Sequence, residues 1–186
     1  YKTSLLKYIK EQNKEINNLK ERINLFVNSM INLCISKNIP LDSKNNVGDS
    51  MIMSFIENAE DFMIENLIKY NVPLLIENDF EENSVCYAIK NNKIDILKIL
   101  MSNIEKSCLE KTLINICYNI PENNIEKKKL LIGLKKSIIY FKDYINVQDS
   151  EGNTPLIIFT ALNEIDFVKL LIESGVSVNI KNYKGE

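Results

Sequence analysis

The chain has 186 residues, 45% hydrophobic and 26% charged, and a net charge of −2. That is ordinary globular composition with enough apolar material for a sizeable core, and it offers no global electrostatic case for nucleic acid. The single arginine, Arg22, nearly excludes bidentate reading of phosphates or bases, and the lack of histidine excludes Ser-His and Cys-His nucleophiles within this stretch.

The four cysteines, Cys34, Cys86, Cys108 and Cys117, form no CxxC pair, and without histidine a zinc site would need carboxylates to complete it. They read as reduced thiols in small core positions, which implies an intracellular setting: cytoplasmic, or host cytoplasm if the source is a parasite or pathogen. No apolar run reaches the ~18 residues of a membrane span. The chain begins at Tyr1 and reads as a piece of a longer protein. No glycine-rich phosphate loop is present, and the close carboxylates Glu81/Glu82 and Glu57/Glu60 read as solvated charges. No enzymatic activity, cofactor or metal is expected.

In chain order, Thr3-Ser4-Leu5 has the look of a helix opening. Beyond it Ile9, Ile16, Ile23 and Met30 recur every seven residues, with Leu19, Phe26 and Leu33 between them. This predicts a long amphipathic helix, packed on the downstream helices or making a coiled-coil contact with a partner. Asn38-Ile39-Pro40-Leu41 and Asn71-Val72-Pro73-Leu74 are 33 residues apart, and so are Gly48 and Glu81. Between them, Ser50-Met51-Ile52 opens one apolar run, and Ile64, Leu67 and Ile68 carry a second. In the next unit Ala88 is the small residue of a first helix, Asn92 marks a turn, and Ile96, Leu97, Ile99 and Leu100 form a second helix. There the frame breaks, because Ile104 stands where an Asn or Gly cap belongs.

Residues 103–148 then predict a first helix near Leu109–Asn119, a break at Ile120-Pro121-Glu122-Asn123, and a second helix from Ile125 to Tyr140. Leu130, Leu131, Leu134, Ile138 and Phe141 share one face of that second helix. The frame resumes at Gly152. Thr154-Pro155-Leu156 supplies an N-cap with proline at the first helical position. Ile165, Val168, Leu171 and Ile172 form the next helix, Gly175 ends it, and Gly185 closes the frame 33 residues after Gly152.

Helix, turn, helix and an extended return closing at 33 residues resembles the ankyrin repeat. The resemblance implies an all-α solenoid of helix–turn–helix units joined by short β-hairpin loops. About five units are expected, one or two of them irregular. Residues 1–47 would be an irregular unit with an extended helix. Residues 48–80 would be a regular repeat, 81–102 a repeat with a truncated hairpin, and 103–151 an irregular extended unit. Residues 152–184 would be a regular repeat, and 185–186 would start another. One departure stands out: where the family places histidine after Thr-Pro-Leu, this chain has Met53, Cys86 and Ile157.

The resemblance further implies a non-catalytic scaffold that binds another protein on a concave face. The partner-binding positions would be the tip residues Asn46, Val47, Asp79, Phe80, Ser150, Glu151, Tyr183 and Lys184. Just past the tips come Asp49, Glu82 and Asn153, and the inner helix ends add Glu57, Asn58, Lys90, Asn91, Ala161 and Leu162. Phe80 is bracketed by Glu77, Asp79, Glu81 and Glu82, and Tyr183 by Lys181 and Lys184. The basic run Lys127-Lys128-Lys129 with Lys135-Lys136 is readable as a contact for nucleic acid, an anionic membrane or a nuclear-import receptor. More simply it is a solvated helix face, so no nucleic-acid partner is expected. A monomer is expected. The alternatives are a structural spacer or oligomerising arm that dimerises through the N-terminal helix, or the targeting arm of a larger effector or enzyme.

Overall fold

In the computed structural model, residues 2–58 and 61–186 are described, with side chains for residues 5–56, 61 and 63–186. Nine α-helices follow one another within these bounds: α1 (Lys2–Ser36), α2 (Met51–Asn58), α3 (Asp61–Lys69), α4 (Ser84–Lys90), α5 (Ile94–Met101), α6 (Lys106–Tyr118), α7 (Asn124–Ser137), α8 (Pro155–Ala161) and α9 (Ile165–Glu173). A 3₁₀ turn, Ile138–Phe141, extends α7.

The frame is written in the helix ends. Asn38, Asn71, Asn92, Asn163 and Gly175 all have positive φ, between 52° and 84°. Each sits at the end of a helix in the same double hydrogen bond. After α3, for instance, Asn71 N–H donates to Ile68 O and Val72 N–H to Leu67 O. This six-to-one and five-to-two pairing satisfies the last carbonyls and needs a residue that tolerates the left-handed region. Ile104 cannot supply it. After Ser102 the chain instead passes to an extended Glu105, and Ile104 packs partly into the core.

Helices α2, α4, α6 and α8 pack successively as one row, and α1, α3 and α5 run as a second row behind it. Within units, α2 packs on α3, α4 on α5 and α8 on α9. The continuous core holds Ile52, Ile56, Ile64, Leu67, Ile89, Leu97, Leu100, Leu113, Phe159 and Phe167. Units that each bury their apolar stripe only against neighbours are the physical basis of a solenoid.

Two local readings change. The long N-terminal helix expected from the seven-residue spacing runs as α1 without a break from Lys2 to Ser36; the side chains of Thr3 and Ser4 lie outside the described residues. Its second half packs on α3 through buried Val27 and Ile31, while Leu5, Ile9, Ile16 and Leu19 are exposed. The loops between units form no ladder among the described residues beyond a single bridge between Lys44 and Ser50. In the stretched unit α6 starts at Lys106, and α7 ends at Ser137 before the 3₁₀ turn. Helix α7 packs closely on α4 and also meets α9.

The missing histidine leaves a trace. Ser50 N–H lies 3.4 Å from Met53 Sδ, and the buried Ser50 hydroxyl has no hydrogen-bond partner among the described residues. At those positions Met53 and Cys86 are buried and Ile157 is partly buried.

Candidate functional site

Four side chains outside the expected binding set build the tips: Asn45, Asn78, Asp149 and Asn182. In each, Oδ1 accepts the backbone N–H groups two and four residues on: Val47 and Asp49, Phe80 and Glu82, Glu151 and Asn153, Lys184 and Glu186. These bonds, at 2.8–3.0 Å, substitute a side chain for a strand ladder and fix a tight turn. The signal was available, because an Asn or Asp stands three residues before Gly48, Glu81, Gly152 and Gly185 alike.

The turns stack. Asn78 Nδ2 donates to Asp49 Oδ1 at 2.9 Å, and Asn182 Nδ2 to Asn153 Oδ1 at 2.9 Å. Gly48 is required by crowding as well as by φ: a Cβ there would lie 2.7 Å from Asp79 N. At Gly152 a Cβ would lie 2.9 Å from both Tyr183 N and its ring. Glu81 holds the equivalent left-handed place, with φ 59°, and its tip is the one that loses its successor at the frame break.

The tip residues Asn46, Val47, Asp79, Phe80, Ser150, Glu151, Tyr183 and Lys184 are all exposed. Phe80 is 67% exposed and Tyr183 78%, so neither ring is folded away. Others of the proposed set are engaged internally. Asp49 also accepts from the Tyr87 hydroxyl at 2.7 Å, which together with the larger effect of burial raises that phenol above its usual range. Glu82 and Lys90 form an ion pair with side chains only 12% and 19% exposed. Asn91 Nδ2 bonds Tyr87 O at the end of α4. Ala161 and Leu162 are exposed. The side chains of Glu57 and Asn58, and Glu60 altogether, lie outside the described residues.

The charge asymmetry is uneven. At the far end Lys184 lies 3.5 Å from Glu151, while at the near end Glu77 faces Lys111 at 3.8 Å and Asn115 at 3.1 Å. Between the Asn78–Glu82 turn and the Asn119–Asn123 connection lies a cavity of about 670 Å³, lined in part by Phe80, Tyr118 and Pro121. On α7, Lys127 pairs with Glu164 at 2.6 Å and Lys129 with Glu126 at 2.8 Å, and Lys128, Lys135 and Lys136 are exposed.

Asp149 links the tips to the stretched unit. Burial works against its ionisation, but hydrogen bonds from the Tyr118 hydroxyl (2.5 Å) and from the N–H groups of Asn153 and Glu151 outweigh that and hold its carboxyl below the usual range. A depressed folded pKa contributes stability above the unfolded value, and that stability is lost as pH falls through the folded one. The wild type is therefore expected to lose stability below about pH 4 more steeply than Asp149→Asn. The variant keeps the turn, since the other three turns already use asparagine. Urea midpoints across the acid range measure this, and superimposable profiles would remove Asp149 from the account.

Among the described residues no cluster of three or more Cys, Asp or Glu side chains is placed to hold a metal, and no helix is long and apolar enough to cross a membrane. Burial, the largest influence, pushes the Cys86 thiol up to about 12 and raises Cys117 as well, so neither supplies a thiolate at neutral pH.

The Ankyrin repeat family model matches residues 151–183. No curated protein matches the chain. Among solved structures the chain is similar to the Bd0816 predatory endopeptidase from Bdellovibrio bacteriovorus in complex with immunity protein Bd3460. The identity is 18%, over 83% of this chain and 79% of that one, with a TM-score of 0.43. It is also similar to the ankyrin repeat domain of Bcl-3, a unique member of the IkappaB protein family. There the identity is 12%, over 85% of this chain and 84% of that one, with a TM-score of 0.41. The family model thus matches one repeat, residues 151–183, and the helix caps and tip turns seen there recur upstream in the same 33-residue frame.

Proposed function

We propose that this chain is a non-catalytic scaffold that holds a partner protein on the face carrying the tips. The observation that supports this reading is the pair of solvated aromatics, Phe80 and Tyr183, each set on a turn held rigid by an Asn side chain. A large side chain on a pre-ordered loop loses little entropy on binding, and aromatics dominate interface hot spots. Ankyrin repeats in general mediate protein–protein interaction, and the proposed division into units at 1–47, 48–80, 81–102, 103–151 and 152–184 places one tip near each regular boundary. An intracellular location goes with the proposal.

Phe80→Ala and Tyr183→Ala are each expected to weaken partner binding by about 1–3 kcal/mol with the melting temperature unchanged. The measurement is calorimetric titration against a partner recovered by pull-down. If both changes leave affinity untouched while substitutions along Lys127–Lys136 abolish it, the site is the basic face of α7 instead.

A second reading, an oligomerising arm, is favoured by the exposed apolar stripe Ile9, Ile16, Leu19, Phe26 and Leu33 on α1. Light scattering separates the two: a concentration-dependent dimer abolished by Ile16→Lys favours the arm, and a monomer favours the scaffold.

A further inference from the structure

We propose that the cavity between the Asn78–Glu82 turn and the Asn119–Asn123 connection takes a cationic segment of the partner, an extended stretch bearing Lys or Arg whose side-chain stems lie on Phe80. This rests on the tip-face reading above and specifies the chemistry of its acidic end. The cavity exists because of the frame break. At Gly48 and Gly152 the next turn packs onto the glycine, but no turn follows Glu81 in register, and the connection through Pro121 stands opposite it.

The lining is unbalanced in charge. Five carboxylates, of Asp79, Glu81, Glu82, Glu122 and Glu126, face one ammonium, that of Lys90. Glu82 already holds Lys90, and Lys129 holds Glu126. Glu81 accepts only the neutral Asn119 amide, at 3.2 Å, and neither Asp79 nor Glu122 makes an ion pair among the described residues. Three carboxylates therefore remain for an outside cation.

Their spacing selects its form. Among the described residues no three acidic groups converge enough to hold a metal ion. The site thus fits charges spread along a chain better than one compact cation. Beside the carboxylates are two rings, Phe80 67% and Tyr118 50% exposed. Arg and Lys carry aliphatic stems that cover apolar surface and heads that bind aromatic faces, so one side chain satisfies both parts of the lining. An anionic partner such as nucleic acid is repelled by the same lining.

The test is fluorescence anisotropy at low salt with two labelled octapeptides, one of alternating Arg and Leu and one of alternating Glu and Leu. The Arg peptide is expected to bind, with affinity falling as salt rises, and the Glu peptide not to bind. The double change Asp79→Asn with Glu122→Gln is expected to weaken the Arg peptide about fivefold. Phe80→Ala is expected to do so by about fivefold or more, and Glu173→Gln on the exposed side of α9 to do nothing. All are surface changes, and circular dichroism checks that they fold. Hydrogen exchange is expected to show protection at 79–82 and 118–126. No binding, or binding indifferent to these substitutions, overturns the inference. Protection confined to 150–153 and 183–184 overturns it too, but leaves the tip-face reading standing. The partner titration with Phe80→Ala and Tyr183→Ala judges that reading separately.

Discussion

Gly133→Ala is expected to destabilise the fold by about 3 kcal/mol or more, the upper end for an overpacked core. Gly133 lies in the middle of α7 with ordinary helical backbone, so alanine would by propensity alone improve the helix. The obstacle is the neighbour. A Cβ at this position would sit 1.8 Å from Ile89 O and 2.7 Å from Ile89 C, which is backbone of α4 and cannot rotate away. The two helices must separate, and α4 is the inner helix on which α2, α5, α6 and α7 all pack. Gly175→Ala is the control. Its φ of 84° makes it strained for alanine, but nothing lies within 4 Å, so a cost of about 1 kcal/mol is expected from backbone strain alone. Urea melts of both variants give the comparison. If Gly133→Ala costs no more than Gly175→Ala, the close approach of α7 to α4 is wrong.

That contrast marks what the sequence makes legible. Positions whose demand is local could be read from one strand of text. Asn71 and Gly175 are needed by their own φ, and Pro121 and Ile104 mark breaks by what they cannot do. The helices from α4 to α9 follow from those signals with boundary shifts of a few residues, as at Lys106 and Ser137. Gly133 could not be read, because its reason lies in Ile89, a residue far away in sequence. The tip residues divide in the same way. Exposure of Phe80 and Tyr183 follows from their place in the turn. The engagement of Asp49 by Asn78 and Tyr87, and of Glu82 by Lys90, depends on which helix end faces which loop. Asn45, Asn78, Asp149 and Asn182 were legible in principle, since their period equals that of the glycines. They escape a search for residues that project outward, because each turns inward to hold its own turn. The length of α1 was legible for a related reason: the seven-residue recurrence of Ile9, Ile16, Ile23 and Met30 runs on with no breaker residue inside it.

Phe141→Ala is expected to cost about 3–5 kcal/mol, the range for deleting a buried phenylalanine and leaving a cavity. The ring is fully buried, in the 3₁₀ turn that carries the chain out of α7, and it meets Tyr144 edge to face with centroids 6.4 Å apart. Its location makes the loss directional. Residues 138–148 stand in the stretched unit, where no Asn or Gly cap sets the exit from a helix, so packing of this side chain replaces backbone chemistry in aiming the chain toward Asp149 and the next tip. In a solenoid each unit leans only on its neighbours. Hydrogen exchange in the variant is therefore expected to lose protection first in α7, α8 and α9, with α3 to α5 holding longer. Phe80→Ala removes the same side chain from a site where it is 67% exposed, and is expected to leave exchange and melting unchanged. A loss spread evenly over all helices, or a cost for Phe141→Ala below about 1 kcal/mol, would show that the stretched unit is held by something other than this ring.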